Sequence, residues 1–156
     1  MNKLEQYNGF IKELALLVGR SGKYRTDLIG KMALVAALIK REWTDLVFVD
    51  FYRHLDNNLH IGPYQGELAA CTPIPMGKGI CGTAAEQKET VIVDDVLTFP
   101  NYIACDSETR SEIVLPVFLD GEVIAVLDID SAVVHRFDAD DQCGLEKLLT
   151  TVFVNP

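Results

Sequence analysis

The chain is 156 residues long, enough for one ordinary domain and short for two. Its 49% hydrophobic and 24% charged residues describe a chain that buries a core rather than a disordered one. A net charge of −9 and an isoelectric point near 4.7 exclude sequence-independent binding to nucleic acid or anionic membranes, which needs a basic face.

In chain order, "LEQYNGFIKELALLVG" (Leu4–Gly19) carries Leu4, Tyr7, Phe10, Ile11, Leu14 and Leu17 at helical spacing. "GRSGKYR" breaks it. Thr26 or Asp27 then caps a second predicted helix bearing Leu28, Ile29, Met32, Val35, Ala36 and Ile39. Its run "MALVAALI" is eight residues long, far short of the roughly twenty that span a bilayer. The charges scattered through the first fourteen residues leave no signal-peptide core, so a cytoplasmic protein with its four cysteines resting as thiols is expected.

The period then changes. "LVFVDFYRHL" (Leu46–Leu55), the turn "DNN" and "LHIGPYQG" read as a β-hairpin. "CTPIPMGKGICG" reads mostly as loop, "GICGTAAEQKE" as a short helix and "TVIVDDV" as a strand. "LTFPNYIACDSETR" is an irregular loop of 14 residues, a length that in compact domains signals function or disorder. "SEIVLPVFL", "DGE" and "VIAVLDID" form a second hairpin, and "DADDQCGLEKLLTTVF" a closing helix capped by Asp138. Strands joined by tight turns, with helices at the chain ends, give an α+β fold on an antiparallel sheet, with residues 1–156 as a single domain.

None of the cysteines forms a C-x-x-C pair, and the three histidines lie outside any zinc spacing, so neither a metal nor another cofactor is expected. Cys143, inside the closing helix, reads as a buried thiol. Cys105 lies on the long loop, and Cys71 and Cys81 flank the Gly/Pro loop, which places all three near a surface.

In "VLDIDS" (Val126–Ser131), alternation puts Asp128 and Asp130 on one strand face, roughly 7 Å apart. The strand is apolar on both faces just before them, which marks it as central and argues against a solvated acidic face. Glu112 opens the partner strand. A two-residue turn at Asp120-Gly121 would pair residue 112 with 129 and turn Glu112 away from both aspartates. A three-residue loop, or one bulge, would bring the three carboxylates together, and Pro116, which cannot donate to a ladder, makes a bulge plausible. Clustered carboxyls do not all ionise at neutral pH; a neutral one can donate a proton while an ionised neighbour holds an ammonium group.

The segments "GPYQGELAAC", "GKGICGTA", "VDDV", "FPNYIACDSETRSEIVLPV" and "GEVIAVLDIDS" closely resemble the free methionine-(R)-sulfoxide reductases, stand-alone enzymes with a GAF fold. The resemblance runs from about Leu46 to Leu148 and includes three cysteine and three acidic positions. It implies that Cys105 is the catalytic thiol, that Cys71 resolves it by forming a disulfide, and that Cys81 fills the third cysteine position. It further implies that Glu112, Asp128 and Asp130 hold the substrate's polar groups, that Tyr52 and Phe48 form an aromatic wall, and that thioredoxin is the reductant. The chain departs from the family pattern at Phe48, where a tryptophan is common, at Asp50, where a glycine is usual, and at Asn101-Tyr102, in place of Gly-His. A homodimer is compatible with the sequence, which fixes no oligomeric state. The rival reading is a GAF-type small-molecule or redox sensor without catalysis, which would have no use for a Cys71–Cys105 pair.

Overall fold

The computed structural model describes residues 2–18, 26–67 and 70–154. A six-stranded antiparallel sheet with strand order β3-β2-β1-β6-β5-β4 organises it. The strands are β1 (Leu46–Leu55), β2 (Asn58–Gln65), β3 (Ile74–Pro75), β4 (Val91–Val93), β5 (Ser111–Leu119) and β6 (Glu122–Ser131). The helices are α1 (Lys3–Val18), α2 (Leu28–Glu42), α3 (Gly79–Gln87) and α4 (Ala139–Leu149). The α+β class and the element order are as the sequence predicts, except that the two-residue strand β3 falls in the segment read as mostly loop. The break at 19–25 and residue Gly19 lie outside the described residues. Among the described residues no helix is long and apolar enough to cross a membrane.

Both hairpins turn on two residues in the left-handed region: Asp56 (φ 50°) and Asn57 (φ 60°), then Asp120 (φ 51°) and Gly121 (φ 81°). Such turns match the twist of paired strands. Asp27, rather than Thr26, caps α2 by accepting from Gly30 N–H. Asp138 and Asp141 form a reciprocal capping box at the start of α4. Lys3 reaches both carboxylates, and Tyr7 donates to Asp141 at 2.8 Å, which fastens α1 to α4.

The sheet is covered on both faces. Val49, Phe51, Ile113, Leu115, Leu127 and Ile129 pack against α1, α2 and α4. Each large side chain buried there stabilises the fold by about 1.5–3 kcal/mol. In α1 the inward set is Tyr7, Phe10, Ile11, Leu14 and Val18, whereas Leu4 and Leu17, predicted for the same face, are exposed. The opposite sheet face carries Tyr52, Val114 and Val126 beneath α3 and the connecting loops. β6 lies between β1 and β5, the central place that its two apolar faces predict.

Candidate active site

Register settles where Glu112 points. The β5–β6 turn has two residues, which alone would put Glu112 opposite Ile129. Near the turn Leu119 pairs with Glu122 and Phe118 with Val123, but Val117 pairs with Ala125. Ile124 is the extra residue of a bulge, and beyond it the count shifts by one, so Glu112 lies opposite Asp130. The bulge sits on β6 close to the turn, not at Pro116, which pairs with Val126.

On β1, Asp50 pairs with Asp128 and Phe48 with Asp130. Two neighbouring rungs of the sheet therefore carry Asp50–Asp128–Val114 and Phe48–Asp130–Glu112 on one face. All four carboxylates are buried: Asp50 at 0%, Glu112 at 5%, Asp128 at 6% and Asp130 at 7% exposure. Three are expected from the sequence; Asp50 is the fourth. Its alternation with Phe48 and Tyr52 is readable in β1, but its partner across the sheet is not.

Two elements close over these rungs. The first turn of α3 contributes Gly79, Ile80 and Cys81, and the long loop contributes Tyr102, Ile103, Cys105 and Asp106. Phe48, Asp50, Tyr52, Ile74 and Lys78 complete a pocket of about 450 Å³, its open mouth included. Every predicted site residue except Cys71 lines it, and Cys71 is bonded to Cys105 with their Cα atoms 5.4 Å apart. Two of the four cysteines are thus joined rather than resting as thiols, while Cys81 and Cys143 are free. Among the lining residues, Lys78 and Ile103 lie within the segments "GKGICGTA" and "FPNYIACDSETRSEIVLPV" but bear no charge pattern or thiol that would have assigned them to the site. Gly79 has φ +61°, and a Cβ there would press on Ile103 at 3.0 Å, so glycine admits both the turn into α3 and the close approach of the loop.

Two expectations about burial are overturned. Cys143 is exposed, because α4 turns Asp141, Gly144, Leu145 and Leu148 inward and Cys143 falls on its outer face. Cys81 is buried at 5% exposure, because it sits in the first turn of α3 pressed onto the sheet instead of on the preceding loop.

The Cys105 loop is held in place. Asp106 accepts from the Glu108 and Thr109 N–H groups and from the Thr109 hydroxyl. Arg110 pairs with Asp95 at 3.1 Å, and the Val96 N–H donates to the Arg110 carbonyl.

Electrostatics follow from burial. Desolvation, then the charges of Asp128 and Asp130, hold the Glu112 and Asp50 carboxyls well above the usual carboxylate range. Asp130 is held high by burial, Asp128 and Asp106. Burial also lifts Asp128, but hydrogen bonds from Cys81 and Glu112 restrain it to about 6. The Cys81 thiol donates to Asp128 at 3.2 Å and lies 4.0 Å from Glu112. Burial and the neighbouring carboxylates push that thiol well up. One ligand atom each of Cys81, Glu112 and Asp128 lies within 4.8 Å of the others, so one compact cation is within reach of all three. Both oxygens of Asp50, and one each of Asp128 and Asp130, are buried without a hydrogen-bond partner. The geometry is that of a pocket with too many carboxyls for its own donors, walled by a disulfide.

Known proteins share this chain's fold and much of its sequence. The family model for a GAF domain matches residues 33–152. The curated free methionine-R-sulfoxide reductase of Escherichia coli (strain K12) is 39% identical over 150 residues, covering 96% of this chain and 87% of its own. A solved free methionine-R-sulfoxide reductase from Neisseria meningitidis, in complex with its substrate, is 36% identical with a TM-score of 0.89, covering 97% of this chain and 89% of its own. The reduced form of the Staphylococcus aureus enzyme is 38% identical with a TM-score of 0.86, covering 94% and 92%. The chain belongs to the GAF-domain family and, within it, to the free methionine-R-sulfoxide reductases, which are oxidoreductases.

Proposed function

We propose that the protein reduces free L-methionine-(R)-sulfoxide to methionine with Cys105 as the attacking thiol and Cys71 as the resolving one. The observation that carries the reading is the Cys71–Cys105 bond in the wall of a pocket floored by four carboxylates. In the first step the Cys105 sulfur attacks the sulfoxide sulfur and the S–O bond breaks. Cys105 becomes a sulfenic acid, methionine leaves, and the thiol proton ends on the oxygen. In the second, Cys71 displaces that oxygen as water and the disulfide forms. A dithiol reductant, thioredoxin in our reading, exchanges with the disulfide and restores both thiols.

A zwitterion suits the walls. Ionised carboxylates take its ammonium group. Its own carboxylate faces the first turn of α3, whose N–H groups have no intrahelical acceptor and whose cap, Lys78, makes no side-chain capping bond. A neutral Glu112 or Asp130 donates to the sulfoxide oxygen as the S–O bond weakens.

The test is incubation of the protein with free L-methionine-(R,S)-sulfoxide and dithiothreitol, followed by resolution of the epimers. The R epimer is consumed and the S epimer remains. Persistence of both, or equal loss of both, would overturn the reading.

A further inference from the structure

We propose that Asp50 is a substrate-binding residue: with Asp128 across the β1–β6 rung it forms the subsite for the ligand's primary ammonium, leaving the Glu112–Asp130 pair for the sulfoxide oxygen. The inference rests on the function proposed above and divides its acidic cluster into two working pairs.

Four observations carry it. Asp50 lines the same pocket as Cys105 and Cys81. It is fully buried, yet neither of its oxygens has a hydrogen-bond partner among the described residues. Leaving such a group unpaired costs stability, so a buried carboxyl without a partner calls for an external one. Asp50 and Asp128 are direct cross-strand partners, a placement in which like charges repel unless a cation or a proton intervenes. Finally, Lys78 is the one basic side chain among the pocket-lining residues, and it lies exposed at the mouth.

Spacing assigns the pairs. Asp50–Asp128 and Phe48–Asp130–Glu112 are adjacent rungs on one face, two residues apart along β1. Two residues of strand span about 6.6 Å. The chain N–Cα–Cβ–Cγ–S of methionine, extended, separates the amine from the sulfur by roughly 5 Å, and the sulfoxide oxygen lies farther still. A ligand with its ammonium on the Asp50 rung therefore brings its oxygen to the Glu112 rung. Burial and the charges of Asp128 and Asp130 hold the Asp50 carboxyl well above its ordinary range, so an incoming cation is what draws off its proton.

The test uses Asp50→Asn and Asp50→Ala in the full chain, with circular dichroism and thermal melts to establish folding. Two readouts are taken with reduced protein. In turnover of free methionine-(R)-sulfoxide, KM rises about tenfold or more while kcat changes little, the loss expected for one charge-assisted contact. In binding, calorimetry compares methionine with 4-(methylthio)butanoate, which lacks the amine. The wild type prefers methionine and both variants lose most of that preference. Folded variants that keep the wild-type KM and the wild-type preference would overturn the assignment. If the wild type prefers methionine, the variants lose that preference and no sulfoxide is turned over, the proposed reaction fails while the Asp50 subsite stands. If it binds neither compound, both fail.

Discussion

Burying four carboxyls in one pocket should leave a signature in stability against pH. Asp128 gives its size. Burial raises its pKa from 3.8 to about 6, a rise of about two pH units, and each unit corresponds to about 1.36 kcal/mol. The folded protein then holds that proton more tightly than the unfolded chain does. Stability is therefore greatest below the unfolded value near 3.8, falls as pH rises, and levels off above 6, for a loss of about 3 kcal/mol from this residue. Asp50, Glu112 and Asp130 shift in the same direction and extend the decline to higher pH. Asp45, Asp95 and Asp138 are held below the ordinary value by Arg136, Arg110 and Lys3, and their contribution is lost only as pH falls below the usual carboxylate range. Between pH 4 and pH 8 the pocket therefore dominates the carboxylate contribution. The assay is urea unfolding of the ligand-free protein at several pH values in that window, for wild type and Asp128→Asn. The wild type loses stability with rising pH, and the variant curve is flatter by about 3 kcal/mol, more where removal of Asp128 also relieves its neighbours. A wild-type profile that is flat or rises across the window, with the variant parallel to it, would refute the clustered-carboxyl account.

Cys105→Ser should release no methionine even in a single turnover, as read by mass spectrometry of the products. Cys71→Ser should release about one equivalent and then stall with thioredoxin, because the sulfenic acid has lost its resolving thiol. Cys143→Ser, on the outer face of α4, should leave steady-state turnover unchanged. Glu112→Gln should lower kcat about 100-fold or more if the carboxyl delivers a proton, whereas a binding role alone would raise KM, and full kinetics separate the two. Tyr7→Phe should cost about 1–2 kcal/mol in urea unfolding, since Asp141 is left buried with one donor fewer.

The sheet and helices were legible because period and turn chemistry agree: β-branched runs end at Asp56-Asn57 and Asp120-Gly121, and apolar spacing changes to 3.6 at both chain ends. Glu112 was legible only as a choice between two registers. What decided it is the bulge at Ile124, an apolar residue whose identity does not distinguish a bulged position from a paired one. Asp50 stands in β1 as plainly as Asp128 stands in β6. Its meaning depends on a pairing between strands more than seventy residues apart, which local pattern cannot supply. Cys143 was misread because residue type favours burial, whereas the face of α4 is set by Tyr7 packing against Gly144.

Strand and loop divide the site by what each can do. Carboxyls that must repel one another at fixed spacing need a rigid backbone, and three central strands provide it at a cost in stability that a proton or a ligand cation offsets. In the proposed reaction a thiol must attack, become a sulfenic acid and then meet a second thiol, and Cys105 stands on a loop rather than on a strand, within bonding distance of Cys71. Cys81 fits neither role. It is held in the first turn of α3, donates a hydrogen bond to Asp128, and lies among charges that keep it protonated. Its consequence for the site is indirect: by donating, it helps make Asp128 readier to ionise than burial alone would allow, which in the proposed division of the site readies that carboxylate for the ligand's ammonium.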